Sequence, residues 1–163
     1  KRWTPAGGVE VVAEGFTSMG NLAVMPNGQV AVTDRGAHRA WWVGANGALL
    51  PLAGNGTTEG GGDGFPASET GLAELRGIWF PPQGGALLCA HVSSKLYWMD
   101  EAGILHLMLD GANDGSHGGD GEHWSTPGLK ISEPRAVTMD HAGNIILTEH
   151  DGGYIRRILR LQL

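Results

Sequence analysis

Charge, cysteine and long apolar runs are all scarce in this sequence. Charged residues make up 17% of the 163 residues, and the net charge is −6 at pH 7. Because no basic stripe is present to neutralise phosphates, we expect no nucleic-acid partner. The single cysteine, Cys89, cannot form an internal disulfide, and its apolar neighbours predict a buried small side chain. No apolar run approaches the roughly 18 residues of a bilayer span, so we expect no membrane span, and the compartment is left open.

Several catalytic motifs are also missing. The sequence contains no glycine-flanked serine elbow, no phosphate-binding loop that ends in lysine and no Cys-x-x-Cys pair. Nucleophilic serine chemistry, nucleotide-dependent chemistry and zinc-ribbon sites therefore have no motif to support them.

Glycine, in contrast, is abundant, with 28 residues, and it recurs at a fixed spacing. A shift of 57 residues places the Gly-Gly-Asp-Gly run at 61–64 on the same run at 118–121 without a gap. The aspartates in these runs, Asp63 and Asp120, either bind a cation or fasten their own loops through backbone amides. A long repeat at one period indicates a repeat architecture.

Short apolar runs separated by turn residues fill the chain between the glycine loops. The turn Pro26-Asn27-Gly28 between two such runs predicts a β-hairpin, and each repeat holds up to four short antiparallel strands. The second strands are apolar on both faces, which indicates sheets stacked on sheets. We therefore predict an all-β fold of four-stranded β-propeller blades. The predicted segments are a partial blade (1–15), a blade (16–54), a Gly-rich loop (55–75), a blade (76–111), a Gly/His loop (112–133) and an incomplete blade (134–163).

Two stretches resemble the NHL-type repeat of six-bladed propellers. The first is the loop 54–67, with the spacing Gly54-x-Gly56 and the run Gly62-Asp63-Gly64, and the second is the core sequence 134–145 with its continuation 154–158. The resemblance implies a propeller that either binds a ligand or protein partner over its central mouth or acts as a metal-assisted hydrolase of the lactonase-like class.

The strand count adds up to three blades. We expect Val9–Ala13 to be an outer strand, and the last blade to lack its own outer strand. Three blades would leave an exposed side, so we expect a six-bladed ring closed either by a second copy, as a homodimer, or by the remainder of a longer chain.

One polar residue in each repeat stands at or just after the end of a second strand. These residues are Asp34, His91 and Glu149, and we predict that they lie on one rim with Arg35 and His150. Such a ring of carboxylate and imidazole groups would bind a ligand or hold a divalent metal ion, calcium or zinc. The alternative role is to cap the turns that follow the strands. His117, His123 and Trp124 belong to the second loop alone, and they either reach over the mouth to a ligand or remain solvated.

Overall fold

The computed structural model describes residues 1–25, 27–112, 114–124, 126 and 129–159. Its strands form one hairpin and three larger antiparallel sheets, with two single 3₁₀ turns at Ala67–Glu69 and Asp151–Gly153. The strands are β1 (Arg2–Thr4), β2 (Gly8–Glu10), β3 (Met19–Val24), β4 (Val30–Asp34), β5 (Arg39–Val43), β6 (Leu49–Ala53), β7 (Leu75–Trp79), β8 (Ala86–Ala90), β9 (Lys95–Met99), β10 (Leu105–Asp110), β11 (Pro134–Met139), β12 (Ile145–Glu149) and β13 (Ile155–Ile158).

Each larger sheet is a meander in which consecutive strands are hydrogen-bonded neighbours. Blade 1 has the order β3-β4-β5-β6, blade 2 has β7-β8-β9-β10 and blade 3 has β11-β12-β13. The first hairpin turns where predicted, because Gly28 adopts a φ of +83° and the Asn27 side chain accepts the Gln29 N–H at 2.9 Å. The four-stranded antiparallel blades predicted from the sequence are thus confirmed.

The blades pack face to face. Strand β8 is buried along its whole length, as the two-sided apolar pattern predicts, and Cys89 within it is fully buried. Trp42 of blade 1 stacks on Phe80 of blade 2 with ring centroids 5.3 Å apart. The hydrophobic core therefore lies between the sheets, with blade 2 covered on both of its faces.

The first strands of the three blades line a common axis. Strand β7 contacts both β3 and β11. The buried Thr33 hydroxyl of blade 1 donates to the Arg76 carbonyl of blade 2 at 2.7 Å. The Asn21 side-chain amide of blade 1 donates to the Arg135 carbonyl of blade 3 at 3.2 Å. These bonds link β4 to β7 and β3 to β11, so they hold the inner ends of the three blades together and set which side chains meet at the axis.

The leading segment differs from the prediction. The expected strand Val9–Ala13 is wrong in its bounds, because the turn 5–7 folds β2 back on β1 and pairs Trp3 with Val9. The segment is thus a two-stranded hairpin, in which Arg2 also pairs with Glu10. Blade 3 has three strands among the described residues, and the outer edge of β13 is free of any strand there.

The first glycine loop fastens blade 1 to the outer strand of blade 2. The Gly64 N–H donates to the Leu105 carbonyl at 2.8 Å, and the Leu105 N–H donates to the Phe65 carbonyl at 2.9 Å. Asp63 accepts the Leu107 N–H at 2.8 Å. Its carboxylate thus fastens the loop to β10 through a backbone amide.

Among the described residues there is no helix with the length and apolar character needed to cross a lipid bilayer.

Candidate functional site at the axial end of the blades

Strand pairing shows which residues are equivalent in the three blades. Asp34 pairs with Met19 at the end of the first hairpin, Ala90 pairs with Leu75, and Glu149 pairs with Pro134. The prediction that His91 is equivalent to Asp34 and Glu149 is therefore wrong by one residue. The strands keep register with their neighbours, whereas the connecting loops differ in length, so the equivalent residues 34, 90 and 149 are spaced by 56 and 59, where the predicted residues 34, 91 and 149 are spaced by 57 and 58.

The two carboxylates at this position hold the chain at the entrance to their own blades. Asp34, 2% exposed, accepts the Thr17 N–H at 2.7 Å and the Ser18 N–H at 2.8 Å. Glu149 accepts the N–H of Ser132, the residue equivalent to Thr17, at 2.7 Å. Because backbone donors engage both carboxylates, the capping role described above is present in the structure at both positions.

Glu149 also organises the second loop. His117 places Nδ1 3.0 Å from one carboxylate oxygen, and Arg156 binds the other. The His117 ring packs edge-on against Tyr154, with centroids 4.6 Å apart. His117 therefore packs against blade 3, beside the end of strand β12.

The next residue in each blade forms the rim of the mouth. Arg35, His91 and His150 occupy equivalent positions, and each donates its N–H to the carbonyl of the residue directly before the inner strand of its own blade, at 2.8, 3.3 and 3.1 Å. The links after the second strands and the ends of the glycine loops thus meet at one rim, the one that the sequence predicts.

Basic and acidic side chains alternate along this rim from blade to blade. Arg35 of blade 1 lies 3.7 Å from Glu74 of blade 2, and His91 of blade 2 lies 3.6 Å from Glu133 of blade 3. Glu133 also contacts His150 Nδ1 at 2.5 Å. Each link residue of blades 1 and 2 therefore faces the acidic residue that opens the following blade.

His91 is the most enclosed member of the rim. It is 3% exposed, and its Nδ1 atom has no hydrogen-bond partner among the described residues. Burial lowers the pKa of His91 below its ordinary value of 6.5, and the Arg76 and Arg135 charges lower it further, whereas Glu133 opposes the shift. The neutral imidazole is therefore favoured at this position.

Three side chains on the blade 3 side could share a metal ion. Ligand atoms of Glu133, His150 and Asp151 all lie within 4.8 Å of one another. A mixed nitrogen and oxygen donor set of this kind suits zinc better than calcium, which prefers oxygen ligands. The sequence prediction includes His150 but misses Glu133, whose one signal was its place directly before the Pro-Arg start of an inner strand.

The centre of the mouth is an open cleft of about 400 Å³ between the inner strands. We call it the axial cleft, and its lining includes Ser18–Asn21 of blade 1 and Ala136 of blade 3. Its charged lining consists of three arginines, Arg35, Arg76 and Arg135. Sequence reasoning missed the last two, although both are the second residue of an inner strand.

The remaining predicted ligand residues lie elsewhere. His123 and Trp124 line a second cleft, of about 600 Å³, between the second loop and strand β13. Arg156, on the same cleft, binds Asp120 at 2.7 Å. The structure thus places Arg35 on the axial cleft and His91 and His150 on the adjoining rim, but sets His123 and Trp124 apart from them.

Comparisons with known proteins identify the fold. No protein-family model matches the chain, and no curated protein matches it. A structural-genomics protein of unknown function from Bacteroides thetaiotaomicron superposes with a TM-score of 0.73 at 17% identity, over 89% of this chain and 37% of its own. A protein with a provisional gluconolactonase assignment superposes at 0.67 and 18% identity, over 96% of this chain and 51% of its own. A gluconolactonase from Xanthomonas campestris superposes at 0.58 and 15% identity, over 85% and 37%.

These likenesses confirm the β-propeller fold. The chain spans about half or less of the length of the structures it matches, so it corresponds to a segment of a propeller. At 15 to 18% identity the likeness concerns the fold alone.

The buried imidazole leads to a pH prediction. In the folded state His91 binds fewer protons than in the unfolded state, so its contribution to stability is complete above pH 6.5 and is lost as the pH falls through its lowered pKa. We expect His91→Asn to reduce the loss of unfolding free energy between pH 7.5 and pH 5, measured by urea denaturation. The exposed His141→Asn serves as the control. An unchanged pH slope in His91→Asn would contradict the assignment.

Proposed function

We propose that this chain is a ligand-binding segment of a propeller of the NHL type, with a small molecule bound in the axial cleft. The observation that carries the proposal is the convergence of charged side chains from all three blades on one open cleft. A concave site with a few convergent polar groups is the usual form of a small-molecule site.

The scaffold around the cleft supports a binding role. The carboxylates of Asp34 and Glu149 accept hydrogen bonds from backbone amides. They therefore fix the backbone conformation at the rim. Fixed backbone around a cleft lowers the entropy that is lost when a ligand binds. Arg35, Arg76 and Arg135 remain as the groups that can contact a ligand directly.

A second function, metal-assisted hydrolysis, is favoured by one observation. Glu133, His150 and Asp151 offer ligand atoms close enough to share a divalent ion, beside the cleft. Such an ion would polarise a carbonyl or activate a water molecule. Two of the matching structures carry gluconolactonase names, which agrees with this alternative.

One experiment separates the two functions. Amide signals of Gly20, Asn21 and Ala136 are followed by NMR while glucose, glucono-δ-lactone, citrate and inorganic phosphate are added in turn, and lactone hydrolysis is measured with Zn²⁺ and with Ca²⁺. The binding function predicts saturable shifts at these signals and no hydrolysis above the buffer rate. Metal-dependent hydrolysis that is lost in both Glu133→Gln and His150→Ala would establish the hydrolase instead. If no probe shifts the cleft signals, the binding function is wrong.

Further blades complete the ring in this proposal. Apolar side chains on the open side of blade 1 are exposed, including Met19 at 66% and Leu22 at 67%, and so is Ile155 on β13 at 75%. The second cleft is lined by β13, whose outer edge is covered by no strand among the described residues. A second copy of the chain, or additional sequence of the same protein, would cover these surfaces.

The mass of the chain in solution tests ring closure by a second copy. We expect light scattering to give twice the chain mass of 17.1 kDa, and Leu22→Asp, which charges the open side, to shift the protein towards the monomer. Thr57→Asp, in an exposed loop, is the control. A stable monomer at every concentration would eliminate the dimer and leave closure by a longer chain.

A further inference from the structure

The axial cleft concentrates positive charge in an acidic protein. The chain has a net charge of −6 and only 11 lysines and arginines, yet three arginines line this cleft. Arg76 and Arg135 occupy equivalent positions on β7 and β11, and Arg35 follows β4. Each blade therefore contributes one arginine to the cluster, and two of the three come from equivalent positions.

The arginines have more donors than the protein satisfies. The Nε atoms of Arg76 and Arg135 are buried and have no hydrogen-bond partner among the described residues. Glu74 lies 3.7 Å from Arg35 and 3.8 Å from Arg76, beyond hydrogen-bond distance. Arg135 makes no ion pair with any residue that the structure describes. Each guanidinium carries five N–H donors, so unsatisfied donors remain for a ligand.

The arrangement is electrostatically costly without a counter-ion. Burial lowers the pKa of Arg76, and the neighbouring charges of Arg135 and Arg35 lower it further. Glu74 and Glu133 offset part of this effect. A bound anion would neutralise the remaining repulsion and occupy the unsatisfied donors together.

We propose that the ligand of the axial cleft is a small molecule that carries an oxyanion, either a carboxylate or a phosphate, held by Arg35, Arg76 and Arg135. This inference deepens the proposed function and rests on it. A planar guanidinium group can donate two parallel hydrogen bonds to two oxygens of a carboxylate or phosphate group. The ammonium group of a lysine cannot form this bidentate pair. The surrounding Ser18–Asn21 segment leaves space for the rest of the molecule.

Isothermal titration calorimetry with inorganic phosphate, citrate and glucose, at one ionic strength of about 0.15 M, tests the inference. We expect saturable binding of at least one of the two anions and none of glucose. Arg76→Gln and Arg135→Gln should each weaken anion binding at least tenfold. Arg157→Gln removes the same charge from an exposed position on β13 and should change the affinity less than twofold. Preference for phosphate or for citrate identifies the group that the cleft takes.

A conservative substitution separates geometry from charge. Arg76→Lys keeps the positive charge but loses the fork, so it should also weaken binding severalfold while the melting temperature stays that of the wild type. If Arg157→Gln weakens binding as much as Arg76→Gln, the site is not in the cleft and the inference is wrong. If glucose or the lactone shifts the cleft amide signals and neither anion does, the inference fails and the binding function stands. If no probe shifts the cleft amide signals, both the inference and the binding function fail.

Discussion

The packing of the three inner strands around one axis is the constraint on which the rest of the structure depends. Thr33 donates to the Arg76 carbonyl across the first blade interface, and Asn21 donates to the Arg135 carbonyl of the third blade. In both cases the accepting carbonyl belongs to an arginine of the axial cleft. The same bonds that hold the blades together therefore hold the backbone from which the cleft arginines project. A buried hydrogen bond of this kind is costly to break, because it leaves a donor or acceptor without a partner.

Much of the fold follows from periodicity alone. The recurring glycine run, the turn at Gly28 and the two-sided apolar pattern of Ala86–Ala90 are local features, so the sequence displays them directly. The leading hairpin was not predicted from the sequence. The pairing of Trp3 with Val9 depends on the short turn between them, and the sequence of that turn does not distinguish a hairpin from an irregular loop. The exact number of residues between equivalent positions could not be predicted from the sequence either. An insertion in a loop changes this number without changing the register of the strands on either side.

The site shows why a sequence pattern can find a rim but not its chemistry. Asp34 and Glu149 stand out in the sequence because they end the second strands, yet turn-capping carboxylates occur at the same places. Arg76 and Arg135 give no such signal, because an arginine on a strand is ordinarily a solvated edge residue. Only the approach of β3 and β11 to β7 shows that these two side chains share a cleft. The charge that the cleft presents to a ligand therefore depends on how the blades pack together.

The most direct test of that packing is the nuclear Overhauser effect from the Asn21 side-chain amide protons. Our account predicts cross-peaks to backbone protons of Arg135 and Ala136, more than a hundred residues away in the sequence, together with cross-peaks to Thr33 in the same blade. Cross-peaks to blade 1 alone would show that blades 1 and 3 do not meet at the axis. The cleft with its three arginines would then not exist as described.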